Sequence, residues 1–183
     1  RLPSAALALL PLRGPAPAFP PFLLTPSQKM TTRDELLQAA QTRKQQGELA
    51  YYGALTPQEA YALLRAEPKA VLVDVRTQAE LDWVGGVDLP DEQFAHIEWM
   101  SYPGGAQNAN FVAELKARVP ADAPVLFLCR SAARSKHAAR VATENGYLLA
   151  MDVLEGFEGN RDDHHHRKTM EGWCVRGLPW HGA

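Results

Sequence analysis

Apolar positions along the second half of the chain come in two kinds of run, short unbroken blocks and helix-spaced faces. Residues 71–75, VLVDV, and 124–129, PVLFLC, are blocks of β-branched and large aliphatic side chains, the pattern of strands buried on both faces of a parallel sheet. Residues 94–97, FAHI, and 147–154, YLLAMDVL, give the same signal. Between the blocks lie faces at helical spacing. Ala60, Leu63 and Leu64 form one, and Phe111, Val112 and Leu115 within 110–118 form a second. Ala138, Val141 and Ala142 form a third, in a segment that runs to Gly146. Strand and helix signals that alternate in this way predict βαβ construction.

Local punctuation fixes several boundaries. Thr56-Pro57-Gln58-Glu59 is a capping box with proline at the first helical position. Thr77 to Glu80 caps a short helix that stops at Gly85-Gly86, and Thr32 with Glu35 opens a polar helix over 31–47 that stops at Gly47. That first helix lies outside the repeating pattern, so residues 30–49 are expected as a helical extension packed on a domain of residues 50–183. Residues 155–183, rich in glycine, histidine and aromatics, are expected as loop with a short closing turn. Residues 1–29 hold many prolines and no acidic residue, which predicts disorder. They read as non-native sequence upstream of a start at Met30. The rival is a targeting peptide, against which Pro11, Pro15, Pro17, Pro20 and Pro21 would break an amphipathic helix.

Composition narrows the partners. The 183 residues are 46% hydrophobic and 22% charged, enough for one globular core, and a formal net charge of −2 gives no broad attraction to nucleic acid or an anionic membrane. No window of about 20 apolar residues is present to span a bilayer. Cys129 and Cys174, the two cysteines, are too few for a disulfide scaffold and lack CxxC spacing, which suggests a reducing, cytoplasmic setting.

The chemistry concentrates where the 124–129 block meets its helix. Ligands of open α/β sheets sit beyond the carboxyl ends of the strands, and Cys129 occupies that place. The N–H groups of the residues after it lack intrahelical partners and can converge on an anion in front of the sulfur. The helix dipole, Arg130 and Arg134 add positive potential, and each of these influences favours the nucleophilic thiolate. A structural cysteine, usually a small hydrophobe, requires none of this.

Cys129-Arg130-Ser131-Ala132-Ala133-Arg134-Ser135 resembles the active-site loop of the rhodanese sulfurtransferases. Val73-Asp74-Val75-Arg76 is similar to that family's first signature, and Leu154-Glu155-Gly156-Phe157 with Gly172-Trp173 to its C-terminal one. The resemblance covers roughly residues 50–180. It implies a three-layer α/β domain, with a central parallel sheet of about five strands flanked by helices. It further implies that Cys129 takes a sulfane sulfur from an anionic donor such as thiosulfate, becomes a persulfide, and yields the sulfur to cyanide or a thiol, including a protein thiol. The 130–135 loop, with Arg130, Ser131, Ala132, Ala133, Arg134 and Ser135, would hold the donor. No cofactor or metal is implied. A second reading is a relay module that passes persulfide between proteins, with 31–47 as its docking element.

Loop length separates the nearest rival. Related dual-specificity and arsenate-reducing phosphatases place five residues between cysteine and arginine, whereas four stand between Cys129 and Arg134, a tighter ring suited to sulfur. Two features depart from the family pattern. Ala132 stands where many relatives carry glycine, and an alanine forced to positive φ there costs on the order of 1 kcal/mol. Gly86-Val87-Asp88-Leu89-Pro90 replaces the usual Gly-His-Ile, so Glu98, Trp99, Met100 and Tyr102 are expected to wall the pocket. Asp74 and Arg76 are expected to brace neighbouring loops, His164-His165-His166 to be a solvated loop, and Cys174 to pack beside Trp173.

Overall fold

The computed structural model describes residues 32–183; the expectations for residues 1–29 fall outside them. Five α-helices and seven strands follow in chain order: α1 (Arg33–Gly47), β1 (Gly53–Leu55), α2 (Pro57–Ala66), β2 (Val71–Asp74), α3 (Gln78–Val84), β3 (Gly86–Val87), β4 (Phe94–His96), α4 (Phe111–Arg118), β5 (Val125–Leu128), α5 (Arg134–Glu144), β6 (Ala150–Val153) and β7 (Trp180–His181). Five strands form one parallel sheet in the order β1-β6-β5-β2-β4. This is the α/β architecture that the alternating runs and the family resemblance imply. Every sheet strand enters from the same side, so the loops that leave the carboxyl ends all gather at one edge.

Strand alternation divides the interior. Leu72, Leu126, Leu128, Met151 and Val153 face one way and pack with Leu36, Leu37 and Ala40 of α1 and with Ala60, Leu63 and Leu64 of α2. Val71, Val73, Val125, Phe127 and Ala150 face the other way, onto Phe111 and Leu115 of α4 and Ala138, Ala139 and Ala142 of α5. Cys129 continues the phase of Val125 and Phe127 and therefore belongs to the second core. Helix α1 packs on β1, and its apolar residues are spent in the first core.

The three expected capping boxes are all formed, at Thr32 with Glu35, Thr56 with Glu59 and Thr77 with Glu80. Helix α1 ends at Gly47, but the left-handed cap residue is Glu48, with φ 50°. Val112 and Val141, expected inward, lie partly buried at the margin of the second core. The closing segment is more ordered than a loop: β7 pairs antiparallel with β3, and Trp173 is fully buried against Tyr61. Among the described residues no helix is long and apolar enough to cross a membrane.

Candidate active site

Strand β5 ends at Leu128 and delivers Cys129 to the carboxyl edge of the sheet, where its side chain is 1% exposed. Residues 129–133 then turn into α5. Ala132 makes the turn with φ 59°, buried, so the strained conformation foreseen for this alanine is the one it adopts, at about 1 kcal/mol. Helices α1, α2 and α3 are all capped by a threonine, whereas the N-cap of α5 is Ala133, which has no side chain able to cap. No hydrogen bond within the described residues uses the backbone N–H groups of 130–135. Unspent donors curled around a sulfur at a helix start form an anion cradle.

The carbonyl side of the loop is held firmly. Phe157 N–H donates to the Cys129 carbonyl at 2.8 Å, and the N–H groups of Glu158 and Gly159 donate to the Arg130 carbonyl at 3.0 and 3.2 Å. Gly156, at φ 70°, allows this approach, because a Cβ there would stand 2.6 Å from the Cys129 oxygen and the Arg130 carbonyl carbon. Phe157 in turn supports the Arg76 guanidinium, 4.0 Å above its ring. Arg76 closes a fully buried pair with Asp74 at 2.7 Å and donates to the Gly85 carbonyl at 3.1 Å. Asp74 and Arg76 thus lock the end of β2 to the segment that carries the loop, and both have 0% exposure. That is the bracing role expected of them.

Arg134 Nη1 and Nη2 reach Glu80 Oε2 and Oε1 at 2.8 and 2.7 Å, a bidentate pair between α5 and α3. Burial alone would raise the Glu80 carboxyl; the Arg134 hydrogen bonds, with the Thr77 N–H and hydroxyl, hold it down at about 2. Arg134, expected with Arg130 to add positive potential at the loop, holds a carboxylate on two of its nitrogens. Arg130 is exposed and makes no side-chain hydrogen bond or ion pair among the described residues, so it is a free cation beside the cradle.

Behind the sulfur, Ser135 Oγ lies 3.3 Å from Cys129 Sγ, fully buried. Asp152 of β6 has 0% exposure, and neither carboxylate oxygen has a hydrogen-bond partner of ordinary length. Burial raises its carboxyl to about 6, against smaller opposing effects of the Ser135 hydroxyl and Lys136. Neither Glu80 nor Asp152 was singled out as a site residue from the sequence, although a lone carboxylate inside YLLAMDVL was a legible signal.

A hollow of about 450 Å3 opens onto the loop, lined in part by Glu80, Trp83, Met100, Tyr102, Arg130 and Arg134. Met100 and Tyr102 wall it as expected. Trp99 instead packs edge-on against Phe111 in the core, and Glu98 lines a second hollow of about 410 Å3, which shares Ser101 with the first. Cys174 packs in the first core, across the sheet from Cys129, and burial pushes its thiol up to about 11. Asp162 accepts the N–H groups of His166 and His164, which shape that loop, and no cluster of metal-ligating side chains occurs among the described residues.

No family model matches the chain. An uncharacterized protein, the RP600 homolog of Rickettsia rickettsii, is 33% identical over 123 residues, 67% of this chain and 91% of that protein. The chloroplastic protein THYLAKOID RHODANESE-LIKE of Oryza sativa subsp. indica is 30% identical over 131 residues, 70% of this chain and 25% of that protein. Among solved structures, the crystal structure of Rv0390 from M. tuberculosis superposes with a TM-score of 0.66 at 46% identity, covering 71% of this chain and 97% of that one.

Proposed function

The chain belongs to the rhodanese-like family, and on that premise we propose that it is a sulfurtransferase that carries sulfane sulfur on Cys129 between an anionic donor and a thiophilic acceptor. The observation that carries this reading is the position of Cys129 at the end of β5, inside a loop whose N–H groups are unspent. The Cys129 thiolate attacks the outer sulfur of thiosulfate, the S–S bond to the sulfonate breaks, and sulfite leaves with the bonding pair. The cradle amides and Arg130 stabilise the departing charge. The resulting Cys129 persulfide is an anion in the same cradle. Cyanide or a thiolate then attacks its terminal sulfur and regenerates the Cys129 thiolate. Arg134 serves this site with its orientation fixed by Glu80, and Ser131, Ala132, Ala133 and Ser135 supply loop backbone.

Intact mass after incubation with thiosulfate tests the first half-reaction. The expected result is a gain of one sulfur in the wild type and none in Cys129→Ser; no gain in the wild type overturns the donor assignment. A relay to a protein thiol is a second reading, favoured by Trp83 and Tyr102, 74% and 62% exposed at the mouth of the hollow. Thiocyanate formation from cyanide separates the two: steady turnover supports the enzyme, and a single sulfur load with no turnover supports the relay.

A further inference from the structure

Helix α3 differs from the other four helices in that none of its residues is buried. Its apolar side chains Ala79, Trp83 and Val84 line the hollow at the Cys129 loop instead of a core. The facing wall, Met100 and Tyr102, belongs to a segment held by its own hydrogen bonds. Met100 bridges antiparallel to Gln107, and Ser101 N–H donates to the Ala106 carbonyl at 2.9 Å. Trp83 and Tyr102 meet edge to face across the mouth, with ring centroids 6.1 Å apart, and most of both rings stays bare. Two paired aromatics left in water gain little for folding and mark a surface kept for a ligand. The lining carries three charged side chains, of which Glu80 and Arg134 are engaged with each other. Arg130 is left as the charge that a ligand in the hollow can meet.

Size and charge then select the occupant. Thiosulfate is a small inorganic ion, whereas about 450 Å3 falls in the range of hollows that hold organic ligands, roughly 300–1,000 Å3. Ala79, Val84 and Met100, all partly buried, continue the apolar lining behind the aromatic pair. We propose that the hollow seats a small aromatic thiol that accepts sulfur from Cys129, with Trp83 and Tyr102 as the residues that select it. The inference rests on the reading of Cys129 as sulfur carrier and names the class of its acceptor. The acceptor's ring lies against Trp83 and Tyr102, and its thiolate turns toward Arg130, the neighbour of Cys129. In the step, that thiolate attacks the terminal sulfur of the Cys129 persulfide. A new S–S bond forms, the bond from the terminal sulfur to Cys129 Sγ breaks, and its electron pair stays on Cys129 as the thiolate. The acceptor leaves as an organic persulfide. Its sulfur is oxidised by as much as the Cys129 sulfur is reduced, so no outside redox partner enters. The small thiol fills the space behind the pair, which a partner surface laid across the mouth would leave empty.

Sulfur-loaded protein offered either phenylmethanethiol or 2-mercaptoethanol tests the assignment, with loss of one sulfur from the intact mass followed in time. Both are alkyl thiols, and the first carries the aromatic ring. The wild type should reach half its limiting rate at a phenylmethanethiol concentration about tenfold below that for 2-mercaptoethanol. Trp83→Ala and Tyr102→Ala, both at exposed positions, should each bring that ratio toward one, through the half-saturating concentration rather than the limiting rate. Trp83→Phe should restore most of it. Equal wild-type behaviour toward the two thiols, or a ratio kept in both alanine variants, overturns the assignment. Benzyl alcohol, which has no thiol, probes the hollow without any sulfur. It should shift the Trp83 indole N–H signal in NMR, assigned by its loss in Trp83→Phe, to saturation, and glycerol should not; no shift overturns the aromatic site. If thiosulfate fails to load Cys129 while benzyl alcohol still saturates the Trp83 signal, the donor assignment falls and the aromatic site stands.

Discussion

Two carboxylates flank the Cys129 loop, and the protein treats them in opposite ways. Glu80, at the front, caps α3 through Thr77 and grips Arg134 with both oxygens, so burial and pairing combine in a carboxylate held at about 2. Asp152, at the back, is more deeply buried and has no cation bonded to it, so it rises to about 6. The difference lies in the partner rather than in depth. A buried charge met by a bidentate guanidinium is a clamp, and a buried charge left alone is a proton acceptor.

The largest expected break in this comparison is Glu80→Ala. It strands Arg134 and opens one half of the α3 capping box, and the shift from 4.5 to about 2 corresponds to about 3 kcal/mol at neutral pH. Because the folded-state value is lowered, this stabilisation is complete above pH 4.5 and disappears as pH falls toward 2. Urea unfolding should show the wild-type advantage at pH 7 shrinking in acid. Asp152→Asn should tilt the other way. Its folded value is raised from 3.8, so the cost of the charge is absent below pH 4 and fully developed above pH 6, about 2–3 kcal/mol. The variant should therefore gain on the wild type as pH rises from 4 to 7, in the same urea assay. Ala132→Gly gives the smallest effect and a control for both. Relief of the positive φ, offset by glycine entropy, should add about 0.5 kcal/mol, equally at pH 4 and pH 7.

What the sequence made legible was local. Each capping box spans four residues, and the runs at 71–75 and 124–129 are continuous, so neighbours in the chain decide both. Strand β1 escaped notice because it is three residues long, begins with Gly53 and owes its existence to β6 beside it. Strand β7 likewise exists only through β3. Cys129 and its loop were readable because residues 129–135 are contiguous in the chain. The grip of Glu80 on Arg134 was not, since 54 residues separate the two and only the packing of α3 beside α5 brings them together. Asp152 was visible as a polar intrusion in an apolar run, but its relation to Ser135 depends on which face of β6 turns toward α5.

The pairing of β7 with β3 reaches further than the closure of an edge. Gly85 leaves no room for a side chain, because a Cβ would lie 2.0 Å from the His181 carbonyl oxygen, and the same Gly85 presents its own carbonyl to Arg76. Asp88 N–H is tied to the Pro179 carbonyl at 3.1 Å, and Trp173 Nε1 to the same oxygen at 2.9 Å. The turn after α3 is thus anchored on one side to the tail and on the other to the β2 end. A continuous series of contacts therefore joins the tail, through that turn and α3, to Glu80 and to Arg134, the first residue of α5.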